Sequence, residues 1–255
     1  MKTQTIMIMI GVCASGLIAA NAGETNKYGY SDTPFLPNSE WRVHDIKRPL
    51  PPKVEPGTNT STSVPSDAII LFDGKDLSQW MDVKNRTVTN DYFDIMQTGQ
   101  IKTKQVFGDC QLHLEWAVSE KPDGDAMKWG NSSVFMMGKY ELQVIQSAIY
   151  ADGIAGAIYG QTPPLAYPIR PAGEWNVYDI TFTAPRFDGS KLVTPAYFTV
   201  RFNGILVQDH TPVLGSTRHK AVAIYDSRAE KGPIMIQHHG SHVRYRNIWI
   251  RNIGL

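Results

Sequence analysis

Apolar residues in this chain recur at every second position over short runs, and no segment holds a helical period over three turns. In Gln111–Val118, residues Leu112, Leu114 and Trp116 fall on one side and His113 and Glu115 on the other. In Tyr140–Ile145, residues Tyr140, Leu142 and Val144 alternate with Glu141, Gln143 and Ile145, so a carboxylate and an amide project together from one face. Val134–Met137 is continuously apolar, which suits a strand covered on both faces, and Gly138 joins it to the next run. Ala68–Phe72 reads as a buried strand stopped by Asp73-Gly74, Tyr178–Thr183 alternates, and Val243–Ile253 makes a final strand. Between Tyr197–Phe202 and Ile205–Gln208 stands Asn203-Gly204, the pair that permits the positive φ angles of a type I′ hairpin turn. With 21 Gly and 16 Pro in the chain, this pattern predicts an all-β fold: a two-sheet antiparallel jelly-roll sandwich.

Residues 67–255 hold all of these strands. Residues 23–66 read as an N-terminal extension rich in Pro, Ser, Thr and Asn, extended or polyproline in conformation and anchored by Trp41 and Val43. Residues 1–22 read as a secretory signal, with Lys2 as the basic start, an apolar centre, and Ala20-Asn21-Ala22 as the cleavage site. The chain is then expected to be secreted or periplasmic, with no membrane association once the signal is removed. Cleavage takes away Cys13 and leaves Cys110, so the mature chain forms no internal disulfide. Lys and Arg number 25 against 24 Asp and Glu, a balance that gives no electrostatic reason for a nucleic-acid partner and suits a neutral ligand. Asn59, Asn85 and Asn131 each open a short glycosylation match of the kind that arises by chance.

Polar candidates cluster in a few stretches. Gln237-His238-His239-Gly240-Ser241-His242 suggests a metal at first, but His238 and His239 point to opposite faces of a strand and no Cys or HExxH helix accompanies them. No metal and no cofactor is expected. A single histidine that hydrogen-bonds or moves a proton is the better use, with structural placement in a loop as the alternative. Arg244 and Arg246 share a face of the last strand, either as edge charges or as ligands for sugar hydroxyls or an anionic intermediate. Tyr159 and Trp175 could stack on a sugar ring or belong to the core. An ordinary glycosidase needs two carboxylates flanking the bond. The string Glu141-Leu-Gln143-Val-Ile-Gln146 supplies one carboxylate and two amides, with Glu115 on another strand as the remaining acid, so that mechanism is disfavoured.

In order along the chain stand Asn131-Ser, Tyr140-Glu-Leu-Gln143, Gly156-Ala-Ile-Tyr-Gly160, Gly173-Glu-Trp-Asn176, Asn203-Gly204, Gln237-His-His-Gly240 and Arg246-Asn-Ile248, after an opening Leu71-Phe-Asp-Gly-Lys-Asp-Leu-Ser-Gln-Trp80. Together they resemble the 3-keto-disaccharide hydrolase family over nearly the whole of Ala68–Ile253. That resemblance implies a concanavalin A-like jelly roll acting on glycosides already oxidised at C3. A C3 ketone acidifies the C2 hydrogen, so one base removes it, the enolate expels the C1 substituent, and water adds back. The resemblance makes Glu141 the base, His239 or Arg246 the enolate stabiliser, and Asn131, Gln143 and Gln237 the sugar ligands. Glu115, Gln146, Tyr159, Trp175 and His238 complete the substrate-contacting set. Ser133, Gln146 and His238 depart from the family pattern of Gly, Asp and Asp, two acids lost from what would be one pocket. The rival class is a non-catalytic carbohydrate-binding module of the same fold.

Overall fold

The computed structural model describes residues 28–58, 63–83, 88–120 and 124–254. The signal segment 1–22 and the glycosylation matches at Asn59 and Asn85 lie outside the described residues. Along the chain run β1 (Ile69–Phe72), β2 (Trp80–Met81), β3 (Phe93–Asp94), the short helix α1 (Ile95–Thr98), β4 (Ile101–Phe107) and β5 (Cys110–Val118). There follow β6 (Ser132–Met136), β7 (Tyr140–Val144), β8 (Asn176–Thr183), β9 (Arg186–Asp188) and β10 (Lys191–Thr194). The chain ends with β11 (Tyr197–Phe202), β12 (Ile205–Pro212), β13 (Gly232–His238) and β14 (Val243–Asn252).

Twelve of the strands form two sheets of seven and five members, and β9 and β10 pair as a separate two-stranded ribbon. The larger runs β1-β14-β5-β8-β11-β12, with β3 also on β14; the smaller runs β2-β4-β13-β6-β7. Every pairing is antiparallel, so this is the jelly-roll sandwich that the alternation predicts. Leu112, Leu114, Trp116, Tyr178, Ile180, Phe182, Val243 and Tyr245 enter the core from the large sheet. Val134, Met136, Tyr140, Leu142, Val144, Ile234 and Ile236 meet them from the small one. Burying a single side chain of this size contributes about 1.5–3 kcal/mol, which lets the core replace disulfides. Cys110 is fully buried in that core, where burial pushes its thiol up to about 12.

Turn chemistry fixes the registers. Asn203 and Gly204 have φ of 48° and 79°, the doubly positive turn that joins β11 to β12. Within the small sheet Ser133 pairs with Gln143 and with Gln237, and Phe135 pairs with Glu141 and Met235. Because neighbours on either side enter the core, this block of residues stands on the outer face of the small sheet. By the same alternation His113, Glu115, Arg244 and Arg246 stand on the outer face of the large sheet, across the core.

The extension is more structured than polyproline. Residues 28–48 fold on themselves through Tyr30 N–His44 O (2.8 Å), Leu36 N–Trp41 O (2.9 Å) and Val43 N–Pro34 O (2.9 Å). Val43 is fully buried, whereas Trp41 is only half-buried. The next stretch runs along the domain, with Lys53 bridged to Tyr167 and Gly57 N bonded to Asn203 O at 2.9 Å.

Candidate functional site

A cavity of about 420 Å³ opens on the outer face of the small sheet. Its floor is Phe135, Glu141, Gln143 and Gln237, with Asn131 at one end and His239 at the mouth; its walls include Tyr150, Tyr159, Thr217, His219 and Tyr30. The wall at Tyr159 exists because β7 is a sheet edge. Residues 156–159 cover that edge through Gln143 N–Ala157 O (3.0 Å), Gly156 N–Gln143 O (3.1 Å) and Tyr159 N–Glu141 O (3.2 Å).

Glu141 is the single carboxylate among the residues lining the cavity. Burial pushes its carboxyl up to about 7, against the opposing hydrogen bond from Ser133. Ser133 Oγ lies 2.6 Å from Glu141 Oε1 and 2.9 Å from Gln143 Oε1. One hydroxyl proton cannot satisfy both oxygens. Donated to Glu141, the hydroxyl proton favours the ionised carboxylate. Gln143 in turn donates through Nε2 to Asn131 Oδ1 at 3.3 Å.

The Tyr159 hydroxyl lies 3.1 Å from the Tyr150 hydroxyl and 3.0 Å from His219 Nδ1. Burial raises both phenols, so each keeps its proton. His219 is lowered, first by burial and then by its neighbours His44, Lys220 and His239, which favours the neutral ring. The result is a chain of neutral proton donors along one wall.

Of the residues singled out in the sequence, Glu141, Asn131, Gln143, Tyr159, Gln237 and His239 meet in this cavity. Five others stand elsewhere. Glu115 and Arg246 lie on the outer face of the large sheet, where Arg246 Nε donates to Glu115 Oε2 at 2.7 Å. Trp175 is with them, its ring 4.0 Å from the Arg246 guanidinium. Arg246 therefore cannot stabilise an enolate beside Glu141. His238 pairs with Ser132 on the opposite face from Gln237, and its Nε2 lies 3.3 Å from Met96 Sδ. Gln146 donates to Arg170 O at 2.9 Å and lines a second cavity, beside Trp129 and Tyr167. Acids at positions 146 and 238 would thus belong to different places, and the two departures do not mark one emptied cation site. The three clustered histidines also separate: His239 reaches the cavity, while His242 Nδ1 pairs with Asp94 at 2.8 Å. The Asn131 amide, only 8% exposed, donates to Met127 O, which leaves no room for a glycan.

Tyr30, Tyr150, Thr217 and His219 carry no motif that marks them in the sequence. Only the position of Tyr150 and Tyr159 on one Gly-rich loop after β7 hints at a shared wall. Ser133 was visible as a departure from pattern, but its bond to Glu141 was not.

A jelly roll with one buried carboxylate, several amides and an aromatic wall around a cavity is the frame of a glycosyl hydrolase-like, carbohydrate-active domain. The chain belongs to the 3-keto-alpha-glucoside-1,2-lyase-like domain family, whose sequence model matches residues 67–251. A candidate glycosyl hydrolase from Parabacteroides distasonis ATCC 8503 is 41% identical, over 81% of this chain and 93% of its own, with a TM-score of 0.72. Another from that organism, 20% identical over 73% of this chain and 94% of its own, shares the fold at a TM-score of 0.54. No curated protein matches the chain.

Proposed function

We propose that this protein cleaves glycosides oxidised at C3, by removing the C2 proton and eliminating the C1 substituent. The observation that carries the reading is Glu141: a buried carboxyl with a pKa of about 7, lining a cavity in which no second acid stands among the described residues. Two-carboxylate hydrolysis needs a second carboxyl about 5–10 Å from the first. Proton abstraction beside a ketone needs one base near the working pH, which Glu141 is. The family's description, a 1,2-lyase acting on 3-keto-α-glucosides, supports the same chemistry.

The ionised Glu141 takes the C2 proton, and the electron pair moves onto the C3 oxygen as an enolate. Gln237 and His239 offer donors to the substrate oxygens. The enolate re-forms the ketone, a C1–C2 double bond appears, and the C1–O bond breaks. Tyr159 gives the departing oxygen its proton and is recharged along His219 or Tyr150. Water then adds across the double bond, hydroxyl to C1 and proton to C2, to give the free 3-keto sugar. With the leader of residues 1–22, we propose that this occurs outside the cytoplasm on small soluble saccharides.

Glu141→Gln keeps the shape of the site and removes the base. Cleavage of a 3-keto-disaccharide should fall by about two to four orders of magnitude, while sugar binding persists. The unoxidised disaccharide should not react with either form. Equal rates in mutant and wild type would remove Glu141 as the base. Sugar binding without cleavage by either form would make the protein a binding module.

A further inference from the structure

The aromatic wall that holds the Tyr159 chain comes partly from outside the family-matched residues. Tyr30 precedes position 67, where that match begins, yet it lines the cavity. Its backbone is held on both sides, by Tyr30 N–His44 O at 2.8 Å and Ile46 N–Tyr30 O at 3.0 Å. Its ring carries the Lys220 ammonium 3.8 Å from the centroid and meets the His219 ring edge-on at 6.0 Å.

His44 ties this segment to the domain. Its main-chain N donates to Asp152 Oδ2 at 2.9 Å, its Nδ1 lies 3.3 Å from Asp152 Oδ1, and both side chains are fully buried. Its ring centroid is 4.7 Å from those of Tyr150 and of Tyr159. A Cβ at Gly160 would come within 3.1 Å of the His44 ring, so a glycine there lets the imidazole lie against the loop. Arg48 Nη1 donates to Gln161 O at 3.1 Å and adds a second tether on the same loop. The cost of the arrangement is visible. His44 has a φ of 55°, outside the comfortable range of a side-chain-bearing residue, and its buried Nε2 has no hydrogen-bond partner. Both features cost stability, and such costs persist where surrounding structure demands the geometry.

We infer that Tyr30 is a specificity-determining wall of the site, stacking on the apolar face of a ring in the leaving group, and that the buried His44–Asp152 pair positions it beside Tyr150 and His219. Four aromatic rings around one end of the cavity (Tyr30, Tyr150, Tyr159 and His219) suit a flat, ring-bearing leaving group over an acyclic one. That ring is either a second sugar or an aryl group. The inference rests on the elimination reading above, but its failure is separable from that reading's.

The test compares kcat/KM for three 3-keto-glucosides whose leaving groups are a glucose, a phenol and methanol. The quantity read is the preference of each ringed substrate over the methyl glucoside, each expressed relative to wild type. Loss of folded protein scales every rate equally and leaves this ratio unchanged, so only a change in recognition moves it. Tyr30→Ala should lower the ratio about three- to ten-fold, the worth of one stacking contact, and Tyr30→Phe should hold it within about two-fold. Asp152→Asn should lower it in the same direction with Tyr30 intact. Whichever ringed substrate loses more identifies the ring. An unchanged ratio in Tyr30→Ala, in a protein that cleaves these substrates, overturns the inference and leaves the elimination reading standing. An unchanged ratio in Asp152→Asn overturns the positioning role of the pair. A wild-type protein that cleaves none of the three overturns both readings together.

Discussion

Each sheet of the sandwich turns a glutamate outward, and the two carboxylates meet opposite environments. On the large sheet Glu115 accepts from Arg246 Nε at 2.7 Å and from Asn247 Nδ2 at 2.9 Å, beside a His113 that also contacts Asp179 at 2.7 Å. Burial would push its carboxyl up, but hydrogen bonds with His113, Asn247 and Arg246 outweigh that and bring it down to about 2. On the small sheet Glu141 has one hydroxyl partner, no cation beside it, and a pKa raised to about 7. A carboxylate satisfied by its neighbours is a structural group. One that burial leaves underpaired, facing a cavity, is the group we propose as the base.

The largest expected contrast is in rate. Glu141→Gln lowers cleavage of a 3-keto-glycoside by about two to four orders of magnitude, whereas Glu115→Gln leaves kcat within about two-fold. Denaturant unfolding should reverse the ranking: Glu115→Gln breaks a half-buried ion network and costs about 1–3 kcal/mol. A rate loss in Glu115→Gln equal to that in Glu141→Gln would erase the distinction between the faces.

The pH dependences should also diverge. Glu115 has a folded-state pKa below its ordinary 4.5, so its contribution is complete above that value and is lost as pH falls towards about 2. For His113 burial disfavours the charge, but the hydrogen bonds to Asp179 and Glu115 outweigh it and raise the ring from 6.5 to about 9. Its contribution is complete below 6.5 and is lost as pH rises through about 9. Glu141, raised instead of lowered, contributes below 4.5 and loses that contribution as pH rises through about 7. The form with an ionised base is the less stable one. Activity should therefore climb through pH 7 while unfolding free energy declines, which paired rate and denaturation series would show. The smallest effect belongs to Ser133→Ala. Removing the hydrogen bond that holds Glu141 down should move the acid limb of the rate profile up by about half to one unit. A limb that stays in place would detach Ser133 from the base.

Period-two alternation made the strands legible, because a half-buried strand exposes its pattern residue by residue. It also put Glu141 beside Gln143 correctly. It could not say which side of the sandwich an outer face belongs to, since both sheets alternate in the same way. Glu115, Arg246 and Trp175 were therefore assembled with Glu141 although the core lies between them. Tyr30 and His44 escaped notice for another reason. They sit in a Pro-rich segment without periodicity, and their placement depends on one buried contact to Asp152, more than a hundred residues away. His219 lies in a loop whose course is set by tertiary contacts such as Thr217 N–Lys139 O.

The claim that Glu141 serves elimination is tested most directly by isotope at C2. Wild-type protein would turn over a 3-keto-glycoside in deuterated water, and the free 3-keto sugar would be read by mass and by proton resonance. The same sugar held without protein in that buffer measures background exchange. The account predicts one deuterium at C2 of each product molecule, arriving with cleavage and slowed in Glu141→Gln by the same factor as cleavage itself. Product that keeps its original C2 hydrogen, from a substrate whose C2-deuterated form is cleaved no more slowly, would contradict it, because even a proton that Glu141 returned to C2 would slow the deuterated substrate.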